Sequence, residues 1–217
     1  MIKSNGIDKA RVAVFISGKG SNLKSLIKFS FKKNSKFKIS LIVSNNSKAL
    51  GLKYAKLFKV KKKIINYKNK RLTENDLIKK LKKERINIIC LAGFMKIISK
   101  NFIKRFGGKI LNIHPSLLPK YPGLNTHKKV LENKDSEHGV TVHLVNEGLD
   151  SGPIIGFIKL KIYDTESEKD LESRIHNLEH YIYPKILSEL QEGKIVIKDG
   201  EIFREEILHK NGKEYFI

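Results

Sequence analysis

Apolar runs and apolar stripes alternate along the chain. Residues 11–17 form a β-branched run closed by Gly18, the pattern of a strand buried on both faces of a parallel sheet. Beyond Gly18-Lys19-Gly20, the residues Leu23, Leu26 and Ile27 recur at helical spacing. Strand, glycine turn and helix in that order make the first half of a βαβ unit. The same reading predicts strands at 37–43, 63–65, 86–92, 109–113, 139–145 and 153–162. It predicts helices at 48–58, carried by Leu52, Ala55 and Leu57, and at 73–84, carried by Leu77, Ile78 and Leu81. Shorter helices are expected at 99–105 and 125–131. Thr165-x-x-Glu168 reads as a capping box before a helix striped by Leu171, Ile175, Leu178 and Ile182. Pro184 is expected to kink or interrupt that helix. Residues 194–197 and 201–203 form a small hairpin about Asp199-Gly200.

Strands and helices alternating through short connections imply an α/β fold: a single doubly wound, mostly parallel sheet flanked by helices, Rossmann-like, with a small C-terminal hairpin. No repeat or low-complexity linker divides the chain. Residues 1–217 are therefore expected to form a single domain, with an N-terminal half over 11–107 and a C-terminal half over 108–205 that continues the same sheet.

Composition narrows the setting. No apolar stretch approaches the length of a membrane span, and residues 1–6 carry no apolar leader. The single cysteine, Cys90, lies in an apolar run and reads as a small buried hydrophobe, so a reducing, cytoplasmic location is expected. A net charge of +22 raises the question of nucleic acid. The excess is nearly all lysine, spread over 24–38, 48–70, 79–83 and 96–109, without the interleaved aromatics of a stacking platform. We read it as solvated surface charge that still steers anionic small molecules. A basic nucleic-acid-binding module on the same fold is the competing class, and it would bind DNA or RNA with strong salt dependence.

Three segments carry candidate chemistry. Asn112 and His114 sit two apart on a predicted strand, so both side chains point to one face, and Pro115 and Pro119 then stiffen the exit. That is either a catalytic edge or a strand end whose polar residues face water. Gly18-x-Gly20-Ser21-Asn22 lacks the third glycine of a dinucleotide fingerprint and the ending of a P-loop. It offers bare backbone at a helix N-terminus, a place for an anion, with Ser21 or Asn22 either capping the helix or touching a phosphate. His114 suits general acid or base work, and Asn112 suits an oxyanion. Asp150, in Leu149-Asp150-Ser151-Gly152-Pro153, is either a third member or a turn residue bonding its own backbone. Beside His114, its charge would favour the imidazolium and raise the histidine pKa. His127 and His143 read as packing or supporting residues, and His138 as part of a turn. His176 and His180 stand four apart on the last helix, without an H-E-x-x-H pattern or a third ligand, so no metal is expected.

Four separated stretches then agree with one family. They are Val14-Phe15-Ile16-Ser17-Gly18-Lys19-Gly20-Ser21-Asn22-Leu23, Leu91-Ala92-Gly93-Phe94-Met95, the run from Asn112 through Pro115-Ser116-Leu117-Leu118-Pro119 to Tyr121-Pro122-Gly123, and His138-Gly139-Val140-Thr141-Val142-His143 with the Asp150 segment. Over residues 11–190 the chain resembles the phosphoribosylglycinamide formyltransferases. The Pro-Ser-Leu-Leu-Pro core is shared with other formyltetrahydrofolate enzymes, and the glycine loop with Glu179-His180-x-x-Tyr183-Pro184 narrows the likeness.

The resemblance implies formyl transfer from 10-formyltetrahydrofolate, as co-substrate, to the amine of 5′-phosphoribosylglycinamide in de novo purine synthesis. It implies direct transfer through a tetrahedral intermediate. By it, Asn112, His114 and Asp150 form the catalytic trio. Gly20, Ser21 and Asn22 hold the ribonucleotide phosphate, and Glu179, with His176, the rest of that substrate. The folate lies along Met95, Lys96, Ile97 and Ile98, with Lys70 or Arg71 assisting. Asn112 and the loop of Asn146, Glu147, Gly148, Leu149 and Asp150 enclose its pterin. A cis Leu118–Pro119 bond is also implied. Lys96 stands where arginine is frequent, Lys19 adds charge to the glycine loop, and Gly148 replaces a frequent carboxylate. The partners implied are small molecules, with no nucleic acid, membrane or metal, and the assembly is a monomer or homodimer. A formyltransferase acting on initiator tRNA is expected to carry a C-terminal RNA-binding domain after the hairpin. A formyltetrahydrofolate hydrolase is expected to carry a regulatory domain before the first strand, where this chain has ten residues.

Overall fold

The computed structural model describes residues 9–217, so the expectation for residues 1–6 lies outside them. In chain order the elements are β1 (Ala10–Ile16), α1 (Ser21–Ser30), β2 (Phe37–Ser44), α2 (Lys53–Leu57), β3 (Lys61–Ile64), α3 (Lys70–Lys83), β4 (Ile88–Leu91) and α4 (Lys100–Phe106). They continue with β5 (Lys109–His114), α5 (Thr126–Glu132), β6 (Glu137–Leu144), β7 (Ile154–Lys161), α6 (Glu168–Gln191), β8 (Val196–Lys198), β9 (Glu201–Arg204), β10 (Ile207–Leu208) and β11 (Lys213–Glu214).

The main sheet runs β11-β7-β6-β5-β4-β1-β2-β3. Strands β3, β2, β1, β4 and β5 are mutually parallel, and β6 and β7 then add antiparallel. Alternation along β1 divides the core. Val12, Val14 and Ile16 face the layer of α1 and α6, while Ala13 and Phe15 face that of α3 and α4, as the two-residue period of a strand requires. Because β2 lies on one side of β1 and β4 on the other, the order reverses there, and a crevice opens beyond the strand ends where such sheets take ligands. The glycine loop, Met95 and His114 all follow or end strands at this rim.

The structure departs from the sequence reading in several places. The helix expected at 48–58 is a 3-10 turn (Leu50–Leu52) and the short α2, and Leu57 is exposed rather than core. Gly51 explains the break: its N–H donates to the Gly18 carbonyl at 3.0 Å, and a Cβ on Gly20 would sit 2.8 Å from its Cα. The backbone there serves the glycine loop instead of a regular helix. The last helix is capped by Ser167, whose Oγ accepts the Asp170 N–H at 3.2 Å, and not by Thr165. Pro184 does not interrupt it. The His180 carbonyl, which loses its helical donor to the proline, accepts Ser25 Oγ of α1 at 2.7 Å. His138 lies within β6, 1% exposed, rather than in a turn, because its neighbours pair with β7 on one side. The hairpin β8–β9 gains β10 as a third strand, and β11 joins the main sheet beside β7. Arg204 and Tyr215 fasten this tail to Glu189 of α6 at 2.7 and 2.5 Å. Cys90 is fully buried, and burial pushes its thiol up to about 12. Among the described residues no helix is long and apolar enough to cross a membrane.

Candidate active site

Asn112 and His114 lie at the end of β5, and both side chains reach Asp150. His114 is 4% exposed, which removes the water-facing reading. Its Nδ1 lies 3.3 Å from Asp150 Oδ2, and its Nε2 lies 2.8 Å from the Tyr121 carbonyl. Asp150 follows β6 in a turn at φ 46, a left-handed conformation that aspartate tolerates better than most residues. Its Oδ2 accepts the Gly123 N–H at 2.9 Å, and its Oδ1 accepts Asn112 Nδ2 at 3.2 Å. The carboxylate thus reaches across to the strand instead of closing its own turn.

His143 completes the group. It is the cross-strand partner of Asn112 on β6, and its Nε2 lies 3.1 Å from Asn112 Nδ2. Its Nδ1 lies 2.7 Å from the Leu144 carbonyl, and its Nε2 also faces Asp150 Oδ1 at 3.6 Å. The Asn112 amide turns its nitrogen inward between His143 and Asp150. Burial draws the His114 pKa below its ordinary value, while the Tyr121 carbonyl and Asp150 pull the other way. The net direction corrects the expectation of a raised value: desolvation outweighs the carboxylate. Both ring nitrogens nevertheless face acceptors, so only the imidazolium donates at both. Burial alone would raise the Asp150 carboxyl, but His143, the Gly123 N–H and His114 together hold it below the usual carboxylate range.

A second group forms where α1 meets α6. Gly20, at φ 74, precedes α1 with no side-chain cap, so neither Ser21 nor Asn22 caps the helix. Asn22 is buried and donates from Nδ2 to Glu179 Oε2 at 2.9 Å, while its Oδ1 has no partner among the described residues. Such a buried acceptor ordinarily finds a donor. Burial pushes Glu179 up to about 7, Asn22 opposing and Glu172 adding. His176 Nε2 stands 4.0 Å from Glu179 and 3.8 Å from Glu172, and its ring stacks on His180. Of the residues expected at this end, the structure joins Asn22, His176 and Glu179 by direct contact, with Gly20 and Ser21 at the adjoining helix start.

The remaining predicted residues lie along the rim. Met95 and Ile97 are 60% and 70% exposed, Lys96 is exposed, and Ile98 turns into the core. The Met95 N–H donates to Ser17 Oγ at 2.8 Å, tying this stretch to the end of β1. Asn146 folds its Oδ1 back onto the Gly148 N–H and Ser151 Oγ at 3.1 and 3.0 Å. Glu147 pairs with Lys100 at 2.6 Å, and Leu149 lies over Gly123. Lys70 and Arg71 open α3, outside this bonded set. Burial draws the His127 pKa below its ordinary value, with Glu172 of α6 opposing. Its Nδ1 lies 3.0 Å from Nε2 of the buried His138. Among the described residues no cluster could hold a metal ion.

Two contributors escaped the sequence reading, the backbone of Tyr121 and of Gly123, which touch His114 and Asp150. The signal was Tyr121-Pro122-Gly123, a turn-forming triplet read only as part of a motif. The Leu118–Pro119 bond is cis.

Known proteins resemble this chain over most of its length. The formyl transferase family matches residues 10–187. Phosphoribosylglycinamide formyltransferase of Haemophilus influenzae is 39% identical over 193 residues, 88% of this chain and 91% of the relative. The human trifunctional purine biosynthetic protein adenosine-3 is 38% identical over 198 residues, 89% of this chain and 20% of that protein. The solved phosphoribosylglycinamide formyltransferase of Coxiella burnetii superposes with a TM-score of 0.90 at 36% identity, covering 95% of this chain and 99% of the other. The chain belongs to the formyl transferase family.

Proposed function

We propose that this formyl transferase moves the formyl group of 10-formyltetrahydrofolate onto the amine of 5′-phosphoribosylglycinamide, giving formylglycinamide ribonucleotide and tetrahydrofolate in purine biosynthesis. The observation that carries the reading is the convergence of Asn112, His114 and Asp150, beside a second group that joins Asn22 to Glu179. The relatives bearing that activity align over nearly their whole length or as one part of a larger purine enzyme.

The bare start of α1 at Gly20, Ser21 and Asn22 takes the phosphate, where backbone N–H groups and the helix dipole favour an anion. Glu179 and His176 take the ribose. The folate runs along Met95, Lys96, Ile97 and Ile98 towards Lys70, and its pterin lies under Asn146, Glu147, Gly148, Leu149 and Asp150. The neutral amine attacks the formyl carbon, and the carbonyl oxygen becomes an oxyanion. Asn112 Nδ2 and the His114 imidazolium stabilise it, so one Asn112 hydrogen leaves His143 or Asp150 for the intermediate. The developing negative charge offsets the burial that disfavours the imidazolium in the free protein. Asp150 supports that charge and orders a water that carries the amine proton to the departing folate nitrogen. Collapse breaks the carbon–nitrogen bond to folate. The chain acts as one domain, with residues 11–107 supplying the phosphate-binding helix start and 108–205 the catalytic trio together with His176 and Glu179.

The test is an assay of purified protein with 10-formyltetrahydrofolate and the ribonucleotide, following tetrahydrofolate. Product that needs both substrates is expected. Tetrahydrofolate released without the ribonucleotide would install the hydrolase in its place, and no release at all would end both readings.

A further inference from the structure

The turn Tyr121-Pro122-Gly123 touches both members of the His114–Asp150 pair. The Tyr121 carbonyl faces His114 Nε2 at 2.8 Å, and the Gly123 N–H donates to Asp150 Oδ2 at 2.9 Å. Both contacts use backbone atoms, so they depend on where the turn is held. Tyr121 occupies the left-handed region at φ 55, which a bulky residue seldom adopts unless its surroundings impose it. Ser116 Oγ holds the backbone side, at 2.6 Å from the Lys120 carbonyl and 3.3 Å from that of Tyr121, and the phenol holds the other. The Tyr121 Oη donates to Asp135 Oδ2 at 3.0 Å and accepts from Asn133 Nδ2 at 2.9 Å.

Asp135 belongs to the turn between α5 and β6, where its own N–H donates to the Val130 carbonyl at 3.2 Å. It also meets Lys120 Nζ at 3.2 Å. Tyr121 borders a cavity of about 350 Å³ shared with Leu117, Val130 and His138. The ring packs against the main core on its other face, and on the cavity side the hydrogen bonds at its tip hold it.

We propose that Tyr121 is a positioning residue for the formyl transfer, its phenol tethered by Asp135 so that the turn's backbone aligns His114 with Asp150. This rests on the functional reading above, while the tether itself can be followed without turnover.

Tyr121→Phe keeps the ring and removes both bonds at its tip. The expected result is a fall in kcat of about tenfold, below the ~100-fold that a 1 Å misplacement can cause, with KM for both substrates little changed. Asp135→Ala should reproduce it. Asp135→Asn, which keeps an acceptor oxygen for the phenol, should restore most of the rate. The double variant Tyr121→Phe with Asp135→Ala should be no slower than either single change, because both cut one tether. In long-range ¹H–¹⁵N spectra the His114 Nε2–H signal should broaden in Tyr121→Phe and Asp135→Ala and remain sharp in Asp135→Asn.

Wild-type kcat in folded Tyr121→Phe, a loss carried by KM, or additive losses in the double variant would overturn the proposal. If Tyr121→Phe does not fold, Asp135→Ala, in a surface turn, decides alone. Failure of the wild-type protein to transfer formyl groups would sink the functional reading, and the His114 signal in the three variants would then decide whether the tether exists.

Discussion

At one end of the proposed site α1 begins on bare backbone, with Gly20 packed against Gly51 and no side-chain cap. At the other end the working groups are side chains, set on β5 and on the Asp150 loop and joined through His143, Tyr121 and Gly123. The first end belongs to the parallel, regular half of the sheet, where the position of a helix start follows from strand order. The second lies where β6 runs antiparallel and the connections carry Tyr121, Asn125 and Asp150 in the left-handed region. A site made of backbone tolerates almost no added volume, whereas a site made of side chains tolerates volume and fails when one partner is removed. Substitutions at the two ends should therefore damage different quantities.

The sharpest contrast comes from the side-chain end. His114→Ala and Asp150→Ala should each lower turnover by about a hundredfold or more, the scale of losing one oxyanion donor, with a preserved fold by circular dichroism. Near-normal kcat in either variant would erase the distinction between the ends. Gly20→Ala comes next. Its Cβ would meet Gly51 Cα at 2.8 Å in a φ +74 backbone, so α1 must shift. Strain of about 1–2 kcal/mol should appear in the melt, with roughly tenfold weaker ribonucleotide binding and an unchanged folate KM. Titration calorimetry with each substrate separates the two, and a matching loss for folate would contradict the division.

Glu179→Gln is the smallest and most diagnostic. The carboxyl is raised from 4.5 to about 7, so the folded state holds its proton more tightly than the unfolded chain. Its contribution to stability is therefore full below pH 4.5 and lost as pH rises through 7. Glutamine keeps an acceptor for Asn22 and cannot ionise. Above pH 7 the variant should melt several degrees higher, at about 2–4 °C per kcal/mol, and the difference should vanish below pH 4.5. Ribonucleotide binding should weaken at the same time. A parallel pH dependence of Tm in both proteins would show that Glu179 ionises freely.

Much of the fold was legible because burial on both faces of a parallel sheet leaves unbroken apolar runs such as Val12 to Ile16. The candidate site was legible in part for a similar reason, since a two-residue spacing on a strand fixes the shared face of Asn112 and His114. His138 and Leu57 were misjudged, and Pro184 leaves its helix uninterrupted, because local pattern carries no record of distant partners. His138 is covered by strand pairing and His127, the segment around Leu57 is bent by Gly51 meeting Gly20, and Pro184 is accommodated by Ser25.

Sequence by itself determined the strand–helix order, the shared face of the amide and imidazole on β5, and the bare helix start after β1, because each follows from short-range periodicity and backbone chemistry. Tertiary structure alone decided that Asp150 meets His114, that Asn22 meets Glu179, and that burial draws the His114 pKa down against its carboxylate neighbour. Those depend on loops closing over long separations and on water being excluded, and neither quantity is written in any local stretch of residues.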